Sequence, residues 1–187
     1  MKPVPTAFCR QLVDKLPIWS MSFSTCWLRR ARRMTEQPQF RITPVDGHNL
    51  WPVLKLKVAP EQTQFIETNA QSLAEAGFDK RFDWHPYALM VADTVVGFAM
   101  IGALNTEERY IWLDRLMLDA QYQHHGWGGT FLELLKAFIM TNWPVDTIVL
   151  SYERENTEAE RFYFHHGFRD LHRVDDNNGE KMAVFGK

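Results

Sequence analysis

Leu116-Met117-Leu118-Asp119-Ala120-Gln121-Tyr122-Gln123-His124-His125-Gly126-Trp127-Gly128-Gly129-Thr130 joins an apolar run to an amphipathic one through a loop rich in glycine at its far end. The apolar run before it, residues 110–118, reads as a strand. The stretch after it, residues 126–141, reads as a helix with Phe131, Leu134, Leu135, Phe138 and Ile139 on one side. A helix start leaves backbone N–H groups unpaired and carries a partial positive charge. Glycines let an anion approach those N–H groups, so the junction suits a phosphate. Short glycine motifs also match by chance, and a plain strand-to-helix turn reads equally well from the glycines alone.

Working outward, residues 40–43 form a short strand candidate, turned toward a helix by Pro44, Asp46 and Gly47. Residues 60–76 carry Phe65, Ile66, Asn69 and Leu73 at helical spacing, with Gly77 as the expected stop. Residues 87–92 and 95–104 are apolar strands around the turn-prone Asp93-Thr94. Beyond the glycine loop, residues 147–151 read as a buried strand and 157–166 as a helix closed by Gly167. Residues 168–174 and 181–185 end the chain as two strands around Asn177-Asn178-Gly179, a hairpin signal. Strands first, then helices alternating with strands, predict a mixed α/β sheet with helices on its faces.

The composition sets the outer limits. The chain has 187 residues, 45% hydrophobic and 24% charged, which suits one folded domain with a sizeable core. A formal net charge of -2 gives no electrostatic case for nucleic acid as a partner. No apolar run approaches the roughly 20 residues that cross a bilayer. Cys9 and Cys26 are the only cysteines, so neither a disulfide framework nor a cysteine zinc site is expected, no metal site is predicted, and a cytoplasmic setting is the default. Residues 1–39 differ from the rest. They hold Pro3, Pro5, Pro17 and Pro38, a basic cluster at Arg29, Arg30, Arg32 and Arg33, and only Asp14 and Glu36 as acids. An arginine-rich presequence, a disordered arm, or a start placed upstream of Met34 all fit. The expectation is a non-catalytic extension at 1–39 and a catalytic domain at 40–187.

Spacing within the loop narrows the reading. Gln123-x-x-Gly126-x-Gly128 resembles the Gln/Arg-x-x-Gly-x-Gly/Ala motif of the GCN5-related N-acetyltransferase superfamily. Asn156-x-x-Ala159-x-x-Phe162-Tyr163-x-x-x-Gly167-Phe168 resembles that family's late helix, and the two motifs stand in the family's order with a strand between them. The resemblance covers about residues 40–185. It implies the family's fold, a central mixed, mostly antiparallel sheet with a splayed strand pair and helices on both faces, and acetyl-CoA as cosubstrate. It implies that the backbone of Leu116, Met117 and Leu118 pairs with the pantetheine arm. Gln123, His124, His125, Gly126, Trp127 and Gly128, with Gly129 and Thr130 just beyond, would hold the pyrophosphate. Asn156 would contact the arm near the sulfur, and Tyr163 would donate a proton to the departing thiolate. His124 and His125 stand where many relatives carry glycine and a basic residue; solvated loop histidines are the alternative. For Tyr163 the alternative is a core aromatic.

The acceptor rests on weaker features. Trp112-Leu113-Asp114-Arg115-Leu116-Met117-Leu118 resembles the corresponding strand of spermidine/spermine (diamine) acetyltransferases, as do Gln64-Phe65-Ile66-Glu67-Thr68 and Asn178-Gly179-Glu180-Lys181. A polyamine calls for acids among apolar or aromatic walls. Asp114, Glu67, Glu75 and Asp79, with Phe65, Trp84, Tyr87 and Trp112, supply candidates for such a trough. Asp114 reads as a base, a cation attractor, or a structural partner of Arg115 or Arg109; Glu67 reads as a substrate contact or a solvated residue. Another small-molecule or protein amine, or a coenzyme A-binding module without turnover, stays open. Dimers are common among the polyamine relatives, so a homodimer is the assembly the resemblance suggests.

Overall fold

The computed structural model describes residues 38–187. The predicted extension at 1–39, with its basic cluster and both cysteines, therefore falls almost wholly outside the described residues. Within them the elements run β1 (Phe40–Pro44), α1 (Leu50–Lys55), α2 (Asn69–Phe78), β2 (His85–Val91), β3 (Thr94–Asn105), β4 (Tyr110–Leu118), α3 (Trp127–Asn142), β5 (Thr147–Tyr152), α4 (Thr157–His165), β6 (Arg169–Val174) and β7 (Lys181–Gly186). Short 3-10 turns occupy Pro60–Gln62 and Ala120–Tyr122. One seven-stranded sheet has the order β1-β2-β3-β4-β5-β7-β6. Every neighbouring pair is antiparallel except β4 with β5.

Both faces are covered because the central strands are apolar on both sides. Along β3, Val96, Ala99 and Ile101 face one core with Phe131, Leu132, Leu135 and Ile139 of α3. Phe98 and Met100 face a second core with Val53 of α1, and Leu73 and Ala76 of α2 pack against it. Continuous apolar runs of this kind are expected of strands buried on two sides.

Two departures from the sequence reading matter for the site. Residues 60–76 do not form one helix. Thr68 caps α2, its hydroxyl accepting from the Gln71 N–H while the Gln71 side chain accepts from the Thr68 N–H. That reciprocal cap starts a new helix there, and leaves Phe65, Ile66 and Glu67 in an irregular segment before it. The helix then runs through Gly77 to Phe78, with Asp79 as its end. In α3 the buried stripe is Phe131, Leu132, Leu135, Lys136 and Ile139, and Leu134 is exposed. Lys136 is buried because its ammonium has partners, the His166 carbonyl at 2.8 Å and Glu133 at 2.8 Å, and it lies over the Phe185 ring.

The parallel pair β4–β5 decides the rest. It is registered at Tyr110↔Thr147, Ile111↔Ile148 and Trp112↔Val149 only. Residues 113–118 then continue beside β3 while β5 diverges. The closed end is pinned by Arg109, whose guanidinium makes two 3.0 Å bonds to Asp146 and whose carbonyl accepts from the Asp146 and Thr147 N–H groups. The strands open from that pin like a V.

Candidate functional site

The site begins where β4 leaves β5. On its β3 side, Met100 pairs with Arg115 and Ile101 with Leu113, so Asp114 is an extra residue without a partner. A bulge of this type breaks the alternation of faces. Leu113 packs in the α3-side core and Met117 in the α1/α2-side core. Arg115, paired with Met100, therefore turns toward α2, and Asp114 is in contact with it.

Arg115 gathers the acids of three segments. One guanidinium nitrogen pairs with the Asp114 carboxylate, and the other lies 3.0 Å from Glu67 and 3.4 Å from Glu75. Asp114 and Arg115 are largely buried, while the two glutamates are about half exposed. Burial pushes the Asp114 carboxyl up to about 6; Arg115 opposes this, and Glu75, Glu67 and Glu180 add to it. Glu180, just past the hairpin turn, also accepts a hydrogen bond from the Ser151 hydroxyl. Next to this cluster in sequence, Gln64 and Phe65 face Glu153 and Glu155 across a cleft of ≈ 360 Å³.

The other predicted trough residues are not drawn into the cluster. Tyr87 is buried on the opposite face, its ring 5.1 Å from Phe138 of α3. Asp79 pairs with Arg81 at 2.6 Å, whose hydrogen bonds hold its carboxyl down at about 2. Trp84 packs against the α1/α2-side core and fills the space beside Gly102. Trp112 lines a separate groove with Tyr110, Val149, Met182 and Val184. Arg109, the other partner considered for Asp114, is bound to Asp146 instead.

On the α3 face the glycine loop is held from below. Asp119 accepts from the Gln121 N–H and the Lys57 N–H, and the Gln123 side-chain amide donates to the Leu118 carbonyl and to Gln62. Trp127 stacks on Tyr122 at 5.8 Å and meets Phe40 edge-on. Gly126 begins α3 at φ 76°, a left-handed conformation that glycine adopts without strain. The N–H groups of residues 124–129 meet no acceptor among the described residues. Such a row at a helix start fits a pyrophosphate. The Gln123 side chain and Thr130, whose hydroxyl donates to the Gly126 carbonyl at 3.5 Å, are turned to internal bonds. The His125 ring lies 2.6 Å from the Gln123 carbonyl.

Helix α4 closes this side. Asn156 caps it, its side-chain oxygen accepting from the Ala159 N–H at 3.0 Å, while its amide N–H₂ has no hydrogen-bond partner among the described residues. The Tyr163 ring sits among Tyr152, Phe162 and Phe168 at 5.4–6.1 Å. Its hydroxyl makes no hydrogen bond among the described residues, and burial, with help from Glu180, pushes it up to about 12. His166 was not singled out by the sequence. Its ring occupies the space a side chain at Gly129 would need, so Gly129 lets α3 and α4 meet.

The open strand edge at 113–118, the free N–H row and the protonated phenol of α4 fit a cofactor with an amide-bearing arm and a pyrophosphate. Comparison with known proteins agrees. Residues 85–170 match the model of the acetyltransferase (GNAT) domain. The spermine/spermidine N(1)-acetyltransferase of Bacillus subtilis strain 168 is 30% identical over 148 residues, covering 76% of this chain and 95% of that protein. Among solved structures, spermidine N-acetyltransferase from Vibrio cholerae in complex with CoA and spermine has a TM-score of 0.63 at 15% identity, covering 79% of this chain and 95% of that one. Aminoglycoside acetyltransferase AAC(6')-Ib in complex with coenzyme A has a TM-score of 0.67 at 16% identity, covering 80% and 95%. This chain belongs to the GCN5-related N-acetyltransferase family. It is an enzyme that moves the acetyl group of acetyl-CoA to an amine.

Proposed function

We propose that the acceptor is a polyamine such as spermidine, spermine or a diamine, received on the Asp114 side of the sheet. The supporting observation is the charge around Arg115. Three carboxylates share one guanidinium, and Glu180 acts on the same acid from another element. The cluster keeps an excess of negative charge, and Glu153 and Glu155 line the cleft beside Phe65, a combination that suits ammonium groups separated by methylenes.

In this reading acetyl-CoA supplies a thioester whose thiolate leaves. The Leu116, Met117 and Leu118 backbone holds the arm, the N–H groups from His124 to Gly129 hold the pyrophosphate, and the Asn156 amide steadies the arm near the sulfur. Asp114 attracts the ammonium and takes its proton. Its carboxyl, at about 6, lies about 4 units below an alkyl ammonium near 10.4, against more than 6 for an ordinary aspartate. The remaining gap, about 6 kcal/mol, is the cost of freeing the nitrogen lone pair in a pre-equilibrium before the neutral amine attacks. Tyr163 at about 12 lies about 3.5 units above a thiol near 8.5, so it stabilises the thiolate by donating a hydrogen bond more than by surrendering its proton. Glu67 binds the acceptor, whereas Trp84 and Trp112 frame neighbouring regions.

The test is coenzyme A release with spermidine, spermine, putrescine, kanamycin and a peptide with a free N-terminus. Spermidine or spermine should give the highest kcat/KM. Turnover of kanamycin or the peptide with none of the polyamines would refute the assignment. An aminoglycoside is the second reading, since it is also polycationic and AAC(6')-Ib shares the fold.

We further propose a cytoplasmic setting and self-association. Among the described residues no helix is long and apolar enough to cross a membrane, and a Vibrio cholerae spermidine N-acetyltransferase with a TM-score of 0.60 is described as dodecameric. Light scattering on the purified protein tests the assembly; a monomer at all concentrations would refute it.

A further inference from the structure

Arg115 has no assigned task in acetyl transfer, yet its surroundings are built to hold it. It follows the bulged Asp114 directly, its guanidinium reaches Asp114 on one nitrogen and Glu67 and Glu75 on the other, and its third nitrogen, Nε, is buried without a partner among the described residues. The fork is therefore fixed by its carboxylates, and its planar geometry orients them in turn.

We propose that Arg115 is the positioning residue of the acceptor site, holding the Asp114 carboxylate beside the open strands and tying the Glu67–Glu75 wall to it. The proposal rests on the reading that Asp114 faces the acceptor. Its two arms act in opposite senses. The guanidinium favours the ionised form of Asp114, while Glu75, Glu67 and Glu180, the other charged groups around it, favour the protonated form. Burial raises Asp114 most, and on top of it one cation and three acids, contributed by β4, α2, the segment before α2 and the β6–β7 turn, act in opposite senses. An arriving ammonium adds a second cation and tips the balance toward the carboxylate when a proton acceptor is needed.

The experiment has a part that needs no acceptor. Carbon-detected NMR follows the side-chain carboxyl of Asp114, assigned with Asp114→Asn, through a pH titration. Arg115→Met should raise the Asp114 midpoint by about one unit or more, as expected on losing an opposite charge within about 4–6 Å. The double variant Glu67→Gln/Glu75→Gln, at half-exposed positions that fold readily, should lower it. Arg115→Lys should restore most of the midpoint but not the fork. In turnover with spermidine, Arg115→Met should raise the KM for spermidine at least tenfold and move the ascending limb of the pH–kcat/KM profile upward. The KM for acetyl-CoA should not change. A midpoint that moves in neither variant would overturn the proposal, even if Asp114→Asn abolishes turnover. Should the midpoints move as stated while Asp114→Asn turns over spermidine normally, Arg115 would control Asp114 but the acceptor reading would fail.

Discussion

Gly129→Ala tests the junction of α3 and α4 most sharply. A Cβ at this position would lie 2.7 Å from His166 Cε1 and 2.8 Å from Nε2, closer than packed atoms tolerate. The imidazole cannot swing away freely. Its Nδ1 is 3.0 Å from a Glu133 oxygen, its ring lies 4.9 Å from that of Phe162, and its carbonyl accepts from Lys136. Overpacking of this kind costs about 1–3 kcal/mol, and replacing glycine by alanine in a helix returns up to about 1 kcal/mol. The net expectation is a loss of about 0–3 kcal/mol, or up to roughly 12 °C in Tm for a domain of this size. Because the displaced turn carries the free N–H row, acetyl-CoA should bind about tenfold more weakly. Calorimetric Kd and thermal denaturation measure both. Adding His166→Ala removes the ring, so the double variant should regain acetyl-CoA affinity and show a coupling of at least about 1 kcal/mol. A Gly129→Ala protein more stable than wild type, with unchanged Kd, would refute the reasoning.

Tyr163→Phe removes only a hydroxyl that has no partner among the described residues; kcat should fall about tenfold to a hundredfold with the acetyl-CoA KM unchanged, and a change confined to KM would make the residue a packing group. Asp114 gives stability a pH signature. Its carboxyl is raised from 3.8 to about 6, so its contribution is complete below about pH 4 and is lost as pH rises through about 6. Tm measured from pH 4 to 7 should fall less in Asp114→Asn than in wild type; equal slopes would contradict the raised carboxyl. Leu135→Ala empties a fully buried position under the sheet and should cost about 2–5 kcal/mol in denaturant unfolding. A loss below about 1 kcal/mol would mean that α3 does not hold the core as described.

The parts of the site that could be read from sequence are those whose partners are neighbours in the chain. The glycine loop, the Asn156 cap and the hairpin at Asn177-Asn178-Gly179 are local, and their residue types follow directly from backbone demands. Thr68-x-x-Gln71 was equally local and would have divided residues 60–76 correctly; the apolar spacing of Phe65, Ile66, Asn69 and Leu73 hid it. The bulge at Asp114 was not legible, because register is a relation between strands and no residue in β4 announces it. Arg115 paired with two glutamates distant in sequence, and His166 filled a space left by Gly129, for the same reason. The burial of Lys136 needed knowledge of the His166 carbonyl and the Phe185 ring. The grouping of Asp114, Glu67 and Glu75 was anticipated from their acidity and that of Asp114 with Arg115 from adjacency, but not that one arginine gathers all three acids.

The V between β4 and β5 is also a slot through a wall. The sheet separates the α3 face, where the free N–H row lies, from the α2 face, where Asp114, Arg115, Glu67 and Glu75 lie, and residues 113–118 border the gap between the two compartments. On the proposed reading, a donor seated from one side and an amine arriving from the other would not obstruct each other's approach. Both would then be present together, and the acetyl group would cross directly without being parked on a protein side chain. Initial-rate lines for the two substrates should therefore intersect rather than run parallel.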